Sequence, residues 1–309
     1  MADVRVVSLI ASATEIVCAL GGRDSLVGVS HECDFPRDVS SLPVCSFAKV
    51  DASRPSNAID RDIKTLLRDA VSIYGLNTDV IEELRPTHLI TQSQCDVCAV
   101  SLSDVRAAVC ETLRCDPEIV VCEPNSLADV YADIRRIGGS IGRASEAEVV
   151  VASMRTTIER PQVDARRPRV ACVEWTEPLM AAGNWVPELV QAAGGENVLG
   201  IPGRHSPWMT AAELTASRPD VIVVMPCGFN LPRTVVESRV LANVEGWDNL
   251  PAVRTGQVYA VDGNAYFNRP GPRLAESTEI LRELAAGPKG GGDGSRWQRL
   301  TLPMSDPRP

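Results

Sequence analysis

Two cysteines three positions apart, Cys95 and Cys98, follow a short apolar run that ends at Thr91. Thiols at this spacing are typical of dithiol–disulfide exchange, of half a zinc site, or of a soft, polarizable lining around a ligand. Disulfide exchange is favoured when the pair opens a helix, because the helix dipole lowers a thiol pKa. Here Ser101 or Ser103 is the predicted helix cap, so the pair precedes the helix instead of opening it.

Three further side chains that can bind metal follow predicted strands: His31, Cys33 and Cys227. Ligands of open α/β sheets bind beyond the carboxyl ends of the strands, so these side chains and the cysteine pair belong to one candidate region. Zinc takes four sulfur or nitrogen ligands, and the pair supplies two of them. One hypothesis is therefore a zinc or iron site built from His31, Cys33, Cys95, Cys98 and Cys227. The alternative for His31 is an ordinary hydrogen-bonding role.

The composition excludes several classes of partner. The chain has 309 residues, enough for two ordinary domains, and a net charge of −9, which argues against nucleic acid or anionic membrane as the main partner. No apolar run approaches the ~18 residues of a membrane span, and no secretory signal pattern follows Met1. We therefore predict a cytoplasmic protein without membrane insertion, whose ten cysteines are mostly reduced.

The two halves of the chain repeat the same order of features. Residues 15–22 and 188–195 each read as an amphipathic helix that ends in two glycines. Further along, residues 83–91 and 218–224 each place a proline between a helix end and a short β-branched run, which suits a buried parallel strand. Two halves that alternate strand and helix in the same way predict an α/β protein with two lobes of related fold.

The predicted boundaries follow from this repeat and from the glycine-rich segments. A helix from Ser126 to Ile137 is interrupted by Gly138, Gly139 and Gly142, and a second helix runs from Ser145 to about Glu159. The chain after residue 287 is dense in glycine and predicts a flexible tail. The predicted organisation is an N-terminal α/β lobe at 1–125, linking helices at 126–168, a C-terminal α/β lobe at 169–286 and the tail at 287–309.

Aromatic residues make up only 4% of the chain, and they lie disproportionately in segments that follow predicted strands. Aromatic side chains beside a cleft suit a large, partly apolar, planar ligand, although any one of them can instead be a core residue. Glu174 and Glu177 have no nucleophile or phosphate loop near them, so no catalytic residue is predicted. The predicted ligand-binding residues are His31, Phe35, Gln92, Gln94, Glu174, Trp175, Trp185, Trp208, Phe229, Tyr266, Phe267 and Arg269.

Several longer motifs point to a known family. Residues 6–16, 26–30, 84–90 and 264–273 are family-like, as are HECDFP at 31–36, TQSQCDVCAVS at 91–101, AGNWVPELVQAAGG at 182–195 and PCGF at 226–229. Over residues 4–285 the chain resembles the substrate-binding proteins of ABC importers for cobalamin, haem and siderophores. It is most similar to a cobalamin-binding branch whose members lack a signal sequence.

The resemblance implies a class III periplasmic-binding-protein fold, with two Rossmann-like lobes joined by a rigid long backbone helix. It also implies a ligand held between the lobes against His31, Trp175, Trp185, Phe229 and Tyr266. That ligand would be cobalamin, a related corrinoid or a similar metal chelate, with the thiols as lining or His31 as an axial ligand to the metal. The expected function is binding without catalysis, for intracellular sequestration, salvage or delivery of the chelate.

Two alternatives remain open at this stage. One is a thiol- and histidine-based metal-binding protein or metalloenzyme. The other is an exported component of an ABC importer. Family members that dock on a permease carry one exposed acid on each lobe; here Asp79 occupies the first position, whereas Ala212 occupies the second, with Glu213 adjacent to it. A permease is therefore the weaker expected partner.

Overall fold

The computed structural model describes residues 4–68, 73–93, 102–111, 113–161, 167–288, 290–292 and 294–302. The chain forms two compact units. The first comprises Met1–Arg54, Ala58–Pro124 and Ala128–Ser153, and the second comprises Pro55–Asn57, Asn125–Leu127 and Met154–Pro309. The boundary at Ser153 lies inside a helix, so residues 128–153 of the predicted linking segment group with the first unit, whereas 126–127 and the residues after Ser153 group with the second.

A parallel sheet forms the centre of the first unit, in the order β2-β1-β5-β6. Strands β1 and β5 are buried along their whole length, and Val6, Val7, Leu89, Ile90 and Thr91 supply the apolar or β-branched side chains that suit a buried parallel strand. A separate antiparallel pair is formed by β3 and β4. The strands are β1 Val6–Ser8, β2 Leu26–Val29, β3 Ser46–Ala48, β4 Tyr74–Leu76, β5 His88–Gln92 and β6 Glu118–Cys122. The helices up to the unit boundary are α1 Ala11–Ala19, α2 Ser56–Arg68, α3 Thr78–Leu84, α4 Leu102–Glu111, α5 Leu127–Ser140 and α6 Ala144–Ile158.

The second unit has its own sheet, in the order β12-β11-β10-β7-β8, with β9 also paired to β7. Its strands are β7 Arg169–Thr176, β8 Leu179–Ala181, β9 Glu196–Asn197, β10 Val221–Val224, β11 Val258–Val261 and β12 Trp297–Arg299. Its helices are α7 Val186–Ala192, α8 Ala211–Ala216, α9 Leu231–Glu237, α10 Pro251–Arg254 and α11 Leu274–Ala285, together with a π-helical turn at Gly263–Phe267.

The internal repeat predicted from the sequence is confirmed. The parallel order β9-β7-β10-β11 in the second unit matches β2-β1-β5-β6 in the first. Helices α1 and α7 end in the same way: Gly22 N donates to Val17 O and Gly195 N donates to Val190 O, both at 2.9 Å. The preceding glycines, Gly21 and Gly194, have φ of 71° and 88°, the left-handed backbone that glycine adopts without steric cost.

An arginine at the start of the first strand of each unit repeats as well. Arg5 Nη2 donates to Leu84 O at 2.6 Å, and Arg169 Nη2 donates to Ser217 O at 2.9 Å. Leu84 and Ser217 occupy the last turn or the cap of α3 and α8, where carbonyl groups lack partners within the helix. Each guanidinium therefore ties a helix end to the strand beside it, in the same way in both units.

Two predictions about helix and tail boundaries are wrong. Helix α5 continues through Gly138 and Gly139 and ends at Ser140, whereas Gly142, with φ of 72°, lies between α5 and α6 as predicted. A Cβ on Gly138 would lie 2.7 Å from Ala147 Cβ, so glycine here allows α5 and α6 to approach closely and does not interrupt the helix.

The predicted tail also contains ordered structure, because β12 pairs antiparallel with β11. Trp297 is buried, with its ring centroid 5.4 Å from that of Tyr259 in an edge-on contact. The glycine-rich segment that precedes it, and a strand sequence with Trp297 as its one apolar residue, left no strand signal in the sequence. Among the described residues, no helix has both the length and the apolar character needed to cross a membrane.

Candidate ligand-binding site

His31 follows β2 at the carboxyl edge of the first sheet and is held by serines. Ser46 Oγ lies 2.9 Å from His31 Nδ1, and its hydroxyl donates to Ser30 Oγ at 3.2 Å. Because that hydroxyl proton points at Ser30, Ser46 accepts from His31, and the proton of the neutral ring belongs on Nδ1. The ring also contacts Tyr74, with centroids 5.4 Å apart.

The other ring nitrogen, Nε2, is buried and makes no hydrogen bond, although Glu32 Oε1 lies 3.4 Å away. Burial lowers the pKa of His31, and the charge of Glu32 opposes this shift. The imidazole is therefore neutral near pH 7, with its free lone pair on Nε2, which is the form that binds a transition metal. In the geometry observed, this nitrogen is covered, so an axial role would require the His31 side chain to move.

Two described thiols of the first unit, Cys18 and Cys45, are poor nucleophiles. Burial raises the pKa of Cys18 to about 11 and that of Cys45 to about 12, so both remain protonated near neutral pH. Cys33 is buried, and its Sγ lies 3.0 Å from Thr14 Oγ1. Cys227, the last described member of the predicted set, belongs to the second unit.

Within the part of the chain that the structure describes, no three or more His, Cys, Asp or Glu side chains form a group that could hold a metal ion. Cys95, Cys98 and Gln94 lie outside the described residues. The predicted zinc or iron site therefore remains a prediction, and the residues described do not assemble it.

In the second unit, β7 and the segments that follow β10 and β11 are joined to one another by backbone hydrogen bonds. Met225 N donates to Val173 O at 2.8 Å, and Asn264 N donates to Phe229 O at 3.1 Å. A Cβ on Gly263 would lie 2.5 Å from Pro226 O, so only glycine permits this approach. These contacts make the carboxyl edge of the second sheet a fixed platform.

Four apolar side chains form a row on this platform. Trp175 on β7 is paired with Met180 on β8, and Met180 is bridged in turn to Trp208. Cross-strand partners project from the same face of a sheet, so these three side chains are neighbours on one face. The ring centroid of Phe229 lies 5.1 Å from that of Trp175. We call Trp208, Met180, Trp175 and Phe229 the aromatic row; Trp208, at one end, is 55% exposed.

Glu174 is held at the same strand end by a buried serine. Trp175 pairs with Met180 and Val173 with Ala181, so Glu174 is the additional residue of a β-bulge, a feature that redirects a side chain. Ser206 Oγ donates to Glu174 Oε2 at 2.9 Å and accepts from Gly183 N at 3.0 Å. The carboxylate is thereby fixed as a hydrogen-bond acceptor, and its predicted contact with a ligand stays a prediction.

Two aromatic residues predicted to bind ligand have a structural role instead. Phe267 is 0% exposed and has no surface to offer. Trp185 is also buried, and its Nε1 donates to Phe267 O at 2.9 Å, which supports the π-helical turn Gly263–Phe267. The sequence located both next to strand ends correctly but could not show which way they point.

The remaining predicted residues differ in exposure. Tyr266 is half-buried, with Arg273 Cζ 5.5 Å from its ring centroid, and Phe35 is exposed. Gln92 and Arg269 are buried. Tyr266 and Phe35 therefore offer surface to a ligand, whereas Gln92 and Arg269 offer little.

Sequence reasoning missed three residues of the platform: Met180, Ser206 and Arg233. Arg233 on α9 places its Cζ 3.6 Å from the ring centroid of Phe229. Arg233 lies four residues after Phe229 and in the first turn of α9, which begins after the N-cap Asn230. Residues four apart around a helical turn lie on the same side, so this spacing could have indicated the contact between Arg233 and Phe229. Met180 and Ser206 carried no comparable signal, since neither immediately follows a strand of the parallel sheet.

A family model described as periplasmic binding protein matches residues 6–265. The chain is 25% identical over 279 residues to a cobalamin-binding protein of Halobacterium salinarum, a match covering 88% of this chain and 66% of that relative. It is 23% identical over 291 residues to an uncharacterized ABC transporter substrate-binding lipoprotein, YvrC, of Bacillus subtilis, covering 90% and 79% of the two chains.

Solved structures show the same fold at lower identity. The periplasmic haem-binding protein RhuT from Roseiflexus sp. RS-1, in apo form, superposes with a TM-score of 0.65 and 22% identity, covering 92% of this chain and 99% of that one. The periplasmic vitamin B12 binding protein BtuF of Vibrio cholerae superposes with a TM-score of 0.58 and 19% identity, covering 91% and 96%. At these identities the likeness establishes the fold, as the sequence predicted.

Proposed function

The chain belongs to the periplasmic binding protein family, and we propose that it binds cobalamin, a related corrinoid or a similar planar metal chelate. The observation that carries the proposal is the aromatic row, in which exposed Trp208 and half-buried Met180 offer an apolar surface that is backed by the buried rings of Trp175 and Phe229. Such a surface suits one face of a macrocycle, and the fixed carboxylate of Glu174 supplies an acceptor for amide N–H groups at its edge. The cobalamin-binding protein among its relatives supports the same ligand class.

The proposal includes no catalytic step. The pairing of His31 with Ser46 resembles a base next to a nucleophile, but Ser46 is fully buried and its hydroxyl is engaged by Ser30. A binding role needs no such chemistry and agrees with the family of the chain.

We also propose that the protein acts in the cytoplasm, in sequestration, salvage or delivery of the chelate. The support is the state of its thiols, since the cysteines whose side chains the structure describes are free and an oxidising compartment favours disulfides. These free cysteines are Cys18, Cys33, Cys45, Cys115, Cys122, Cys172 and Cys227.

A second proposal is a role as the substrate-binding component of an ABC importer, which the Bacillus subtilis relative favours by its name. One contact weighs against docking through the second unit. Glu213, the acid nearest the expected docking position, accepts from Thr210 N at 2.7 Å and from Thr210 Oγ1 at 2.8 Å in a capping box. These hydrogen bonds lower the pKa of Glu213 and keep its carboxylate occupied within α8.

Titration with cobalamin, cobinamide and haem tests the binding proposal. We expect a shift of the ligand's visible spectrum and a calorimetric heat with at least one of them at tens of micromolar protein, saturating at a fixed stoichiometry. No shift and no heat with any of the three would reject it. Elemental analysis of protein purified without added metal tests the metalloprotein alternative, because a stoichiometric zinc or iron that is lost on Cys95→Ser would favour that alternative.

A further inference from the structure

Asp262 lies where three elements meet at the carboxyl edge of the second sheet. It follows β11 directly and is the N-cap of the π-helical turn Gly263–Phe267. Its Oδ1 accepts from Ala265 N at 2.7 Å, and its own backbone N–H donates to Arg296 O at 3.1 Å, next to β12. A hydrogen bond from the backbone of Leu231, the first residue of α9, also reaches the carboxyl group. One residue therefore connects the turn, the strand β12 and the helix.

The turn that Asp262 caps sets the direction of an aromatic side chain. A π-helical turn has one more residue in each hydrogen-bonded ring than an α-helix, and such turns are frequent at functional sites. Here Asn268 N donates to Gly263 O at 3.0 Å, which closes the wider ring. Tyr266, the half-buried aromatic residue of this turn, therefore points in a direction that an α-helical turn would not give it.

The carboxyl group of Asp262 is the acceptor on which the start of this turn depends. Burial raises the pKa of Asp262, whereas the hydrogen bonds from Ala265 and Leu231 and the charges of Arg269 and Arg273 oppose the shift. Without this side chain, the backbone N–H groups of Ala265 and Leu231 would lose their acceptor. The turn would then have to shift to find another, because backbone donors in a folded protein are almost always paired.

Strand β12 holds the backbone of Asp262 in place. Trp297 is buried and pairs with Val261, the residue directly before Asp262. Leu300 N donates to Val258 O at 2.8 Å, so contact with β12 extends over the whole of β11. The segment that follows the glycine-rich stretch thereby fixes the strand end from which the turn begins.

We infer that Asp262 is a positioning residue of the ligand-binding site: together with β12 it holds the π-helical turn so that Tyr266 contacts the bound chelate. This inference rests on the proposed function and adds to it a residue that acts without contacting the ligand. Tyr266 supplies the contact, and Asp262 supplies the direction of that side chain. Strand β12, which lies in the segment that the sequence predicted as a flexible tail, takes part in binding through Asp262.

A double-mutant cycle between Asp262 and Tyr266 tests the proposal on the full chain. Affinity is measured with cobalamin, cobinamide and haem, and the cycle uses whichever of the three binds the wild type most tightly. Asp262→Ala should weaken binding about tenfold when Tyr266 is present and less than about twofold in the Tyr266→Ala background. Asp262→Asn keeps an acceptor for Ala265 N and should hold affinity within about threefold of wild type.

Asp220→Ala is the matched control, because Asp220 Oδ2 also accepts a backbone N–H, from Arg169 at 3.0 Å, but precedes β10 at the opposite end of the parallel strands. It should leave affinity within about twofold of wild type. If Asp262→Ala does not fold, Trp297→Leu takes its place in the cycle, because it removes the edge-on contact with Tyr259 that anchors β12. Chemical denaturation before each titration establishes which variants are folded.

Equal losses of affinity in both backgrounds would overturn the positioning role, because Asp262 would then act independently of Tyr266. An unchanged affinity in the folded Asp262→Ala variant, or in Tyr266→Ala alone, would overturn it as well. Failure of all three probes to bind the wild type would instead reject the proposed function itself.

Discussion

Arg85 and Arg218 share a left-handed backbone conformation, with φ of 44° and 42°, at the ends of α3 and α8. Each precedes a proline, and each amide donates to a carbonyl three residues earlier, Glu82 O at 3.3 Å and Thr215 O at 3.2 Å. Left-handed backbone is costly for a residue with a Cβ, and a following proline restricts it further. The internal repeat therefore extends to a shared site of backbone strain.

Replacing either arginine with glycine should stabilise the protein. Glycine adopts positive φ without steric cost, so Arg85→Gly and Arg218→Gly should each raise the free energy of unfolding by about 0.5–1 kcal/mol, after allowing for the greater flexibility of glycine in the unfolded chain. Chemical denaturation measures the change. Arg61→Gly, on the exposed face of α2, is the control and should destabilise by about 1 kcal/mol. A loss of stability in both test variants would contradict the assignment of strain.

The sequence indicated this repeat because helix ends and buried strands leave local marks. A glycine pair follows both α1 and α7, and a proline precedes both β5 and β10. Each of these marks indicates a helix end or a strand start from the local sequence alone. Gly138 was misread because its reason is a contact with Ala147, which no local pattern encodes. The site shows the same restriction. The sequence indicated which residues follow a strand, but it could not indicate that the side chains of Trp185 and Phe267 point into the core.

Arg282 is a buried cation that binds helix ends within the second unit. Its Nη1 donates to Thr157 O and its Nη2 to Ile158 O, both at 2.8 Å, at the end of α6. Burial lowers the pKa of Arg282, while Glu279, whose Oε1 accepts from Nη1 at 2.6 Å, opposes the shift. The side chain thus satisfies carbonyls that the helix leaves without partners.

Removing this guanidinium should cost much more stability than removing an exposed one. Arg282→Met should lower the free energy of unfolding by about 2–4 kcal/mol, because buried carbonyls lose their donor and Glu279 keeps only its contact with Arg160. Arg282→Lys should restore only part of the loss, since one ammonium cannot reproduce the planar fork. Arg155→Met, which removes an exposed pair with Glu159, is the matched control in α6 and should cost less than about 1 kcal/mol. Similar losses at both positions would refute this role for Arg282.

Asp133 on α5 should make stability depend on pH. Burial raises its pKa from 3.8 to about 6, and Arg136, which contacts the carboxylate, opposes the shift together with the hydrogen bond from Glu123 N at 3.2 Å. The folded state therefore holds a proton at this carboxyl more tightly than the unfolded state does. Through this group, stability should fall as pH rises from about 4 to about 6 and then level off.

Asp133→Asn removes the titration while keeping an acceptor for Glu123 N. The difference in unfolding free energy between wild type and variant should change between pH 4 and 6 and stay constant from pH 7 to 8. Denaturation across that range measures it, with Asp62→Asn, at an exposed ion pair with Arg54, as control. A difference that does not vary with pH between 4 and 6 would show that Asp133 has an ordinary pKa.

Substitution of Trp208 should affect ligand binding without affecting folding. Its side chain is 55% exposed, so Trp208→Ala should change the free energy of unfolding by less than about 0.5 kcal/mol. If the aromatic row holds the face of a macrocycle, the same change should weaken binding of the chelate by about tenfold or more, because a large flat contact is removed. Ile201→Ala alters another exposed apolar side chain of the same connecting segment and should leave affinity within about twofold of wild type. Equal affinity in wild type and Trp208→Ala would remove Trp208 from the site and, with it, the flat surface on which the ligand assignment depends.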